Sequence, residues 1–391
     1  MRFSGVRPLK TGTVPCACVR GRGVLPGMSS SIDMSKQLEN GTWEEDPASL
    51  VEVMDSLGFP LQLTRDDEAA RRRCEAKAAE RARRWGAVQP ARGQRYPQRP
   101  SGELKKLVRK GVPAELRREV WLDMSGARAR REAAPEEYYR GLLASEGESE
   151  AQRQIESDLH RTFPANERFC EADLLPVLKR ILLAYAAHNP VVGYCQSMNY
   201  LAGFLLLFVA DEEEAFWLLV SLLEGLLFPG IHSRELSGTL VEFRVLQHLL
   251  DRKQAKLAKH LHEIGCDLTL ICTEWLLCCF CKSLPAETAA RVWDAIFSEG
   301  SKIFFRVALA LLKGTEEDIL KAAHPGAVMR ALQKRTRRAH DRDKLLSEAF
   351  KGVGSLPMGH IAQLRQTHLQ QVEDELASKR AARSKPTSKQ K

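Results

Sequence analysis

Apolar residues recur at steps of three and four between residues 104 and 350, and this spacing constrains the fold more than any other feature of the sequence. Such spacing puts one apolar stripe on each of a series of helices. Strand-like alternation and Asn-Gly hairpin turns are not found. Prolines divide the stretch into helices of ordinary length: Pro164, Pro190, Pro229, Pro285 and Pro325. The sequence therefore predicts an all-α fold.

The segments before this stretch have other compositions. Residues 1–45 show little apolar periodicity and predict a disordered, basic leader. Within residues 46–103, Asp46 and Pro47 offer an N-cap and a first-turn proline, and Gly58 offers a stop. These signals predict a short helix there.

A charged helix and a linker are predicted to follow. Residues 65–85 are almost all helix formers, with acids first and arginines last, and predict a solvated helix. Residues 86–102 hold three prolines and three glycines and predict a linker. We expect the main domain, with its C-terminal helices, to span residues 104–350. A C-terminal helix and a basic tail are expected over residues 351–391.

The formal net charge of +9 lies at the two ends of the chain. Residues 1–32 carry +5 and residues 377–391 carry +6, both without an acidic residue, so the interior sums to −2. This distribution excludes the basic core expected of a nucleic-acid binder. The tails are either solvated, disordered ends or weak attractors of anionic membrane, at about 1 kcal/mol per basic residue near the surface. The start also has the composition of a transit peptide, but a disordered leader is the prediction.

Apolar runs and cysteines indicate a cytoplasmic protein. The longest apolar run, residues 201–210, is about half of the ~20 residues that span a bilayer. Ten cysteines are too dilute for a disulfide scaffold. Cys278 and Cys281 form C-x-x-C, but no second pair completes a zinc site. We predict buried thiols, with Cys279 among them, and no metal.

No motif for binding a nucleotide or for metal or serine hydrolase chemistry is present. A thiol nucleophile at Cys195 is disfavoured because His188 is too close in sequence for a papain-like arrangement. Any phosphate chemistry must act on a nucleotide that another protein holds. We therefore predict no cofactor of the chain's own.

Two polar segments interrupt the apolar helical background. In residues 155–164, Asp158 and Arg161 share a helix face at i, i+3, and Pro164 ends the helix, so Arg161 is predicted on the last turn. In residues 193–200, Gln196 is predicted in a loop or on a first helical turn, with its amide free. Singly, the first segment is more typical of a surface ion pair, and the second is more typical of a turn or cap.

Together and in this order, the two segments resemble the TBC domain of Rab GTPase-activating proteins, over roughly residues 107–312. Within the second segment the resemblance rests on Tyr194-Cys195-Gln196. Four further motifs carry it: Arg109-Lys110-Gly111-Val112-Pro113, Leu116-Arg117-Arg118-Glu119-Val120-Trp121, Arg291-Val292-Trp293-Asp294 and Glu299-Gly300-Ser301-Lys302. Residues 121–126 and 299–312 look most like the growth-hormone-regulated TBC subgroup. The resemblance implies a fold of two helical subdomains.

The resemblance also implies roles for residues. Arg161 would be an arginine finger and Gln196 a glutamine finger, both inserted into a GTP-bound Rab GTPase that carries the GTP and Mg²⁺. By the same analogy, further residues would support the fingers and contact the GTPase: Asp158, Tyr194 and Asn199. Others would hold helices together: Arg117, Trp121, Trp293 and Asp294. The expected location is the cytoplasm, either in solution or at the periphery of endomembranes.

Ser197 departs from the family, which commonly has glycine after the glutamine. If this position needs a positive φ, a side chain there costs about 1 kcal/mol. If the position starts a helix, serine serves as a cap. The departure leaves an alternative function open, a catalytically silent TBC module that docks a GTPase or scaffold without turnover.

Overall fold

The computed structural model describes residues 50–144, 149–171 and 174–384. The predicted leader over residues 1–45 and the end of the basic tail, residues 385–391, lie outside these ranges. Most of the described residues are helical and the strands are confined to one short hairpin, so the all-α prediction is confirmed.

Eleven helices in the described ranges precede residue 222. They are α1 (Arg65–Glu75), α2 (Ala78–Gly86), α3 (Gly102–Lys110), α4 (Arg117–Met124), α5 (Ala127–Ala133), α6 (Tyr138–Leu143), α7 (Glu150–Leu159), α8 (Glu167–Glu171), α9 (Leu174–His188), α10 (Met198–Leu206) and α11 (Glu212–Ser221). A 3₁₀ turn, Ala114–Leu116, leads into α4.

Nine helices follow in the rest of the described chain. They are α12 (Ser237–Lys253), α13 (Ala255–Glu263), α14 (Thr269–Leu277), α15 (Ala286–Glu299), α16 (Lys302–Gly314), α17 (Glu316–Lys321), α18 (Pro325–Arg337), α19 (Arg342–Ser347) and α20 (Met358–Ser384). Single π-helical turns, Leu222–Leu226 and Glu348–Gly352, continue α11 and α19.

A β-hairpin replaces the short helix predicted to end at Gly58, so that prediction was wrong. Strand β1 (Val51–Met54) pairs antiparallel with β2 (Pro60–Leu63). The Asp55 carboxylate accepts two backbone N–H bonds within the turn, each at 2.9 Å, and Gly58 adopts a φ of 85°. An aspartate that bonds its own turn competes with a helix at this point, and the glycine serves the turn instead of a helix end.

The segment predicted as a solvated helix and linker packs against the domain instead. It forms two helices, α1 and α2, and Thr64 begins the first with a capping box. Cys74 and Trp85 are buried, and the Trp85 indole donates to the Gly111 carbonyl at 2.9 Å. Tyr96, in the predicted linker, is buried edge-on against Trp85. The apolar residues of this segment are few, but they are large enough to fix it in place.

The helices fall into two groups by their contacts. In the first group α9 packs against α7, α10 and α11, while in the second α12 packs against α13, α14 and α20. Helix α15 contacts α3, α4 and α16. All the described residues belong to one compact unit.

An aromatic cluster and one carboxylate hold α4 against α15. The Trp121 ring lies 4.9 Å from that of Phe297 and 6.0 Å from that of Trp293, between ring centroids. Asp294 is fully buried, and its Oδ1 accepts bonds from the Trp121 indole at 2.9 Å and from Arg117 Nε at 3.1 Å. The four predicted structural residues therefore meet in one place.

Helix α20 is fastened to the second group by a buried ion pair. Arg365 Nε lies 2.5 Å from Oε1 of Glu242, and Arg365 Nη2 donates to Ser301 Oγ at 2.8 Å. Neither α20 nor any other helix in the described ranges has the length and hydropathy needed to cross a membrane.

Candidate functional site

Arg161 lies just beyond the end of α7, not on its last turn as the sequence predicts. Its backbone N–H bonds back to the Asp158 carbonyl at 3.3 Å, in a tight turn instead of a helical turn. Thr162 Oγ1 donates to the same carbonyl at 2.9 Å, and Phe163 adopts a φ of 48°. This turn leads the chain out of the helix before Pro164, so the Arg161 side chain stays 45% exposed.

The Asp158 carboxylate is the centre of the site. It is buried, and its Oδ1 lies 2.5 Å from Arg161 Nη2. Its Oδ2 accepts a hydrogen bond from the Tyr194 hydroxyl at 2.6 Å. Burial and the nearby carboxylate raise the pKa of Tyr194 far above its ordinary value, so the phenol remains a donor. Asp158 thus joins the arginine to the segment that carries Gln196.

Asn199, in the first turn of α10, connects the same two segments on the buried side of the site. It is fully buried, and its Nδ2 donates to Thr162 Oγ1 at 2.8 Å and to the Asp158 carbonyl at 3.4 Å. Its Oδ1 accepts from the Ser197 backbone N–H at 3.2 Å. The amide therefore has partners on both sides and fixes the start of α10 against the turn after α7.

Sequence reasoning missed two residues of this network. Thr162 supports Asn199 and Asp158, and the Tyr200 hydroxyl donates to the Arg161 carbonyl at 3.0 Å. Thr162 and Tyr200 lie inside the two polar segments, next to the predicted residues Arg161 and Asn199. This position in the sequence was the signal that could have identified them. Tyr200 also packs edge-on against Phe163, which has the positive φ.

Gln196 lies in the loop before α10, as the sequence predicts. It is exposed, and within the described part of the chain its side-chain amide has no hydrogen-bond partner. The loop turns at Gly193, whose φ is 61° and whose N–H bonds to the Asn189 carbonyl at 2.8 Å. Val191 is 93% exposed on the same loop. The loop thus presents a free amide and an apolar side chain to solvent.

Ser197 has a backbone conformation that favours glycine. Its φ is 104°, although it directly precedes α10. Its Oγ is buried without a hydrogen-bond partner and caps no N–H of the helix. The serine is therefore not the cap that one interpretation of the sequence predicts, and it occupies a strained position with an unsatisfied hydroxyl.

The Cys195 thiol, beside Gln196, has no reactive character. Burial raises the pKa of Cys195 to about 11, so its thiol is neutral at physiological pH. Cys278, Cys279 and Cys281 are buried, as predicted. Across the described ranges, no group of three or more His, Cys, Asp or Glu side chains could hold a metal ion.

The sequence matches known proteins over the region that holds this site. Residues 114–320 match the Rab-GTPase-TBC domain family. The chain is 42% identical over 280 residues to TBC1 domain family member 2A of Mus musculus, covering 71% of this chain but only 30% of that protein. It is 39% identical over 272 residues to growth hormone-regulated TBC protein 1 of Homo sapiens, covering 68% of this chain and 80% of that protein.

Solved structures agree with these matches. The Chlamydomonas flagellar RabGAP TBC domain superposes with a TM-score of 0.69 at 36% identity, over 78% of this chain and all of that domain. The Ypt/Rab-GAP domain of Gyp1p superposes with a TM-score of 0.57 at 21% identity, over 71% of this chain and 98% of that domain, which shows the shared fold. The chain belongs to the Rab-GTPase-TBC domain family, as its sequence motifs predict.

Proposed function

We propose that the chain stimulates GTP hydrolysis by a GTP-bound Rab-type GTPase, using Arg161 and Gln196 inserted in trans. The observation that carries this proposal is the position of the Asp158 carboxylate. It pairs with the exposed Arg161 and accepts a hydrogen bond from Tyr194, in the loop of the exposed, unpartnered Gln196. GTP and Mg²⁺ belong to the partner GTPase as substrate. Family membership supports a Rab-type partner.

Arg161 has the chemistry needed at the transition state. Phosphoryl transfer to water passes through a loose transition state with charge on the phosphoryl oxygens, and an arginine that neutralises it is worth about 10³–10⁵ in rate. In the free chain Arg161, which is 45% exposed, pairs with the buried Asp158 carboxylate. The Tyr194 hydroxyl also donates to this carboxylate. Asp158 therefore keeps a charge-assisted hydrogen bond when Arg161 exchanges it for phosphoryl oxygens.

Gln196 suits the orientation of the attacking water. The amide carbonyl can accept a hydrogen bond from the water while the amide NH2 donates one to a second group, without a change of charge. No hydrogen bond within the described chain has to break before this amide engages the water. Backbone hydrogen bonds at Gly193 and Ser197 hold the loop on either side of Gln196.

Ser197 favours a second candidate function, a docking module without turnover. Its positive φ and buried, unpartnered hydroxyl lie directly beside Gln196. A side chain that displaces this backbone would misplace the amide by enough to prevent catalysis. The surface around the fingers could still bind a GTPase.

Single-turnover hydrolysis by a panel of GTP-loaded Rab proteins separates the two functions. The proposed activity predicts acceleration of at least one Rab by orders of magnitude over its intrinsic rate. The docking module predicts that a Rab binds with unchanged hydrolysis and that Ser197→Gly restores acceleration. Absence of both binding and acceleration across the panel would contradict both functions.

A further inference from the structure

The turn of the β-hairpin is hydrogen-bonded to the segment that follows Arg161. The backbone N–H of Glu167 donates to the Gly58 carbonyl at 2.8 Å. The side-chain Nδ2 of Asn166 donates to the Leu57 carbonyl at 3.0 Å, and Asn166 is fully buried. Two hydrogen bonds therefore connect the hairpin to the start of α8, a few residues after the arginine.

Aromatic rings extend this connection to the turn of Arg161 itself. Phe59, the last residue of the hairpin turn, packs edge-on against Phe163 with 5.3 Å between ring centroids. Phe163 packs edge-on against Tyr200 at 5.4 Å, and the Tyr200 hydroxyl donates to the Arg161 carbonyl at 3.0 Å. Three rings in contact thus lead from the hairpin to the backbone of the arginine.

Phe163 depends on its neighbours because its φ of 48° is one that residues other than glycine rarely adopt. Such a conformation persists only where the surrounding structure holds it. The Phe163 side chain is buried and contacts three rings, those of Phe59, Tyr200 and Phe169. Since Phe163 follows Arg161 by two residues, its φ sets the direction in which the chain leaves the turn.

The hairpin turn that presents Phe59 is itself held in place. The Asp55 backbone N–H donates to the Phe59 carbonyl at 2.9 Å, and the buried Asp55 carboxylate accepts from the Phe59 backbone N–H at the same distance. Ser56 Oγ donates to Oε1 of Glu287, on α15, at 2.8 Å. These bonds fix the Phe59 ring relative to the helices of the domain.

We propose that the hairpin turn, residues 55–59, positions Arg161 for catalysis, with Phe59 as the positioning residue. This inference rests on the function proposed above, because it concerns the same arginine. The hairpin precedes residues 114–320, which match the family, so family membership assigns it no role. Phe59 acts through Phe163 and Tyr200, which hold the turn. A catalytic group displaced by about 1 Å can lower a rate by roughly a hundredfold, so we expect this support to bear on the maximal rate.

The test compares Phe59→Ala with the unchanged full chain in single-turnover GTP hydrolysis by a responsive Rab. Varying the concentration of the chain separates the maximal rate from the half-saturating concentration. We expect a maximal rate roughly ten- to a hundredfold lower, with half-saturation changed by less than about twofold. Phe59→Tyr keeps the ring and should keep the rate. Tyr96→Ala is the matched control, because it also removes an edge-on ring, 5.7 Å from that of Trp85, from a pair that shares no residue with this chain of rings.

Amide hydrogen exchange on the same variants gives a readout that does not depend on hydrolysis. The backbone N–H groups of Arg161, Thr162 and Asn166 all form hydrogen bonds within the turn and the start of α8. Phe59→Ala should therefore speed exchange over residues 159–166, because their support is removed. Tyr96→Ala should leave exchange there unchanged.

The possible outcomes distinguish this inference from the proposed function. The positioning role is overturned if Phe59→Ala keeps the maximal rate, if Tyr96→Ala lowers it equally, if Phe59→Tyr loses as much as Phe59→Ala, or if exchange over residues 159–166 does not change. A loss that lies only in half-saturation would also overturn it. If the unchanged chain accelerates no Rab, the proposed function itself fails, and the positioning role fails with it.

Discussion

The Tyr194 hydroxyl donates to Oδ2 of Asp158 at 2.6 Å, across 36 residues of sequence. This bond joins the loop of Gln196 to the turn that carries Arg161. Both side chains of the pair are largely removed from solvent, while the arginine and glutamine beside them are exposed. The exposed residues are therefore positioned by contacts that lie beneath the surface.

Tyr194→Phe should slow the stimulated hydrolysis of GTP by a Rab by roughly tenfold or more, because a hydrogen bond to a charged group contributes about 1.5–3 kcal/mol. Stimulated hydrolysis and thermal melting are measured together. Tyr139→Phe is the matched control, since the Tyr139 hydroxyl donates to the Glu212 carboxylate at 2.6 Å away from the site. Equal slowing by both variants would show that the effect is general destabilisation.

Ser197→Gly should stabilise the chain by about 1–3 kcal/mol, because it removes both the strain at φ 104° and the buried, unpartnered hydroxyl. Urea unfolding measures the change. Ser197→Ala separates the two causes, because it removes the hydroxyl but keeps a Cβ at positive φ. We expect alanine to stabilise less than glycine, and a glycine variant less stable than the unchanged chain would refute the account of this position.

Asp294→Ala should cost about 3–5 kcal/mol of stability, because it leaves the Arg117 guanidinium and the Trp121 indole without their shared acceptor. The free energy of unfolding is read from urea titration. Asp251→Ala, on the exposed side of α12, is the control and should change it by less than about 0.5 kcal/mol. A loss at Asp294 no larger than the control would contradict the structural role.

Stability should fall on acidification through the window between pH 6.5 and about 4. His232 is fully buried, with Nε2 3.0 Å from the Leu277 carbonyl, and burial lowers its pKa from 6.5 to about 4. In that window the unfolded chain binds a proton at this residue and the folded chain does not. Up to about 3 kcal/mol of the free energy of unfolding is therefore lost from this group.

The measurement for this prediction compares the unchanged chain with His232→Gln by urea unfolding. Titrations are run at neutral pH and at a pH in the middle of the window. The glutamine can still donate to the Leu277 carbonyl but takes up no proton, so the variant should lose less stability on acidification. Parallel losses would assign the pH dependence to other groups.

Apolar periodicity predicts the helices because burial of one face is a local property of each segment. Helix α9 follows the spacing of Leu178, Ile181 and Tyr185, all of which are buried. The hairpin was missed because Asp46 and Pro47 give the signal of a helix start. Asp55 accepts hydrogen bonds from its own turn, and such bonds leave no trace in the apolar periodicity of the sequence. Likewise, the few large side chains that fix α1 and α2 to the domain were too sparse to form a pattern.

The candidate site was predictable as a set of residues but not as a network. The motifs supplied Arg161 and Gln196, and the loop position of Gln196 followed from the turn at Gly193. The Tyr194–Asp158 bond could not follow, because its partners are distant in sequence and meet only through the packing of α7 against α10.

The most direct test of the account is the rate of GTP hydrolysis by a responsive Rab with each finger removed. Arg161→Ala and Gln196→Ala are compared with Arg153→Ala. Arg153 is an exposed residue on α7 whose guanidinium has no partner in the described chain. We predict a loss of about 10³-fold or more for Arg161→Ala, a large loss for Gln196→Ala and no change for the control. Acceleration that survives in both finger variants would contradict the central claim.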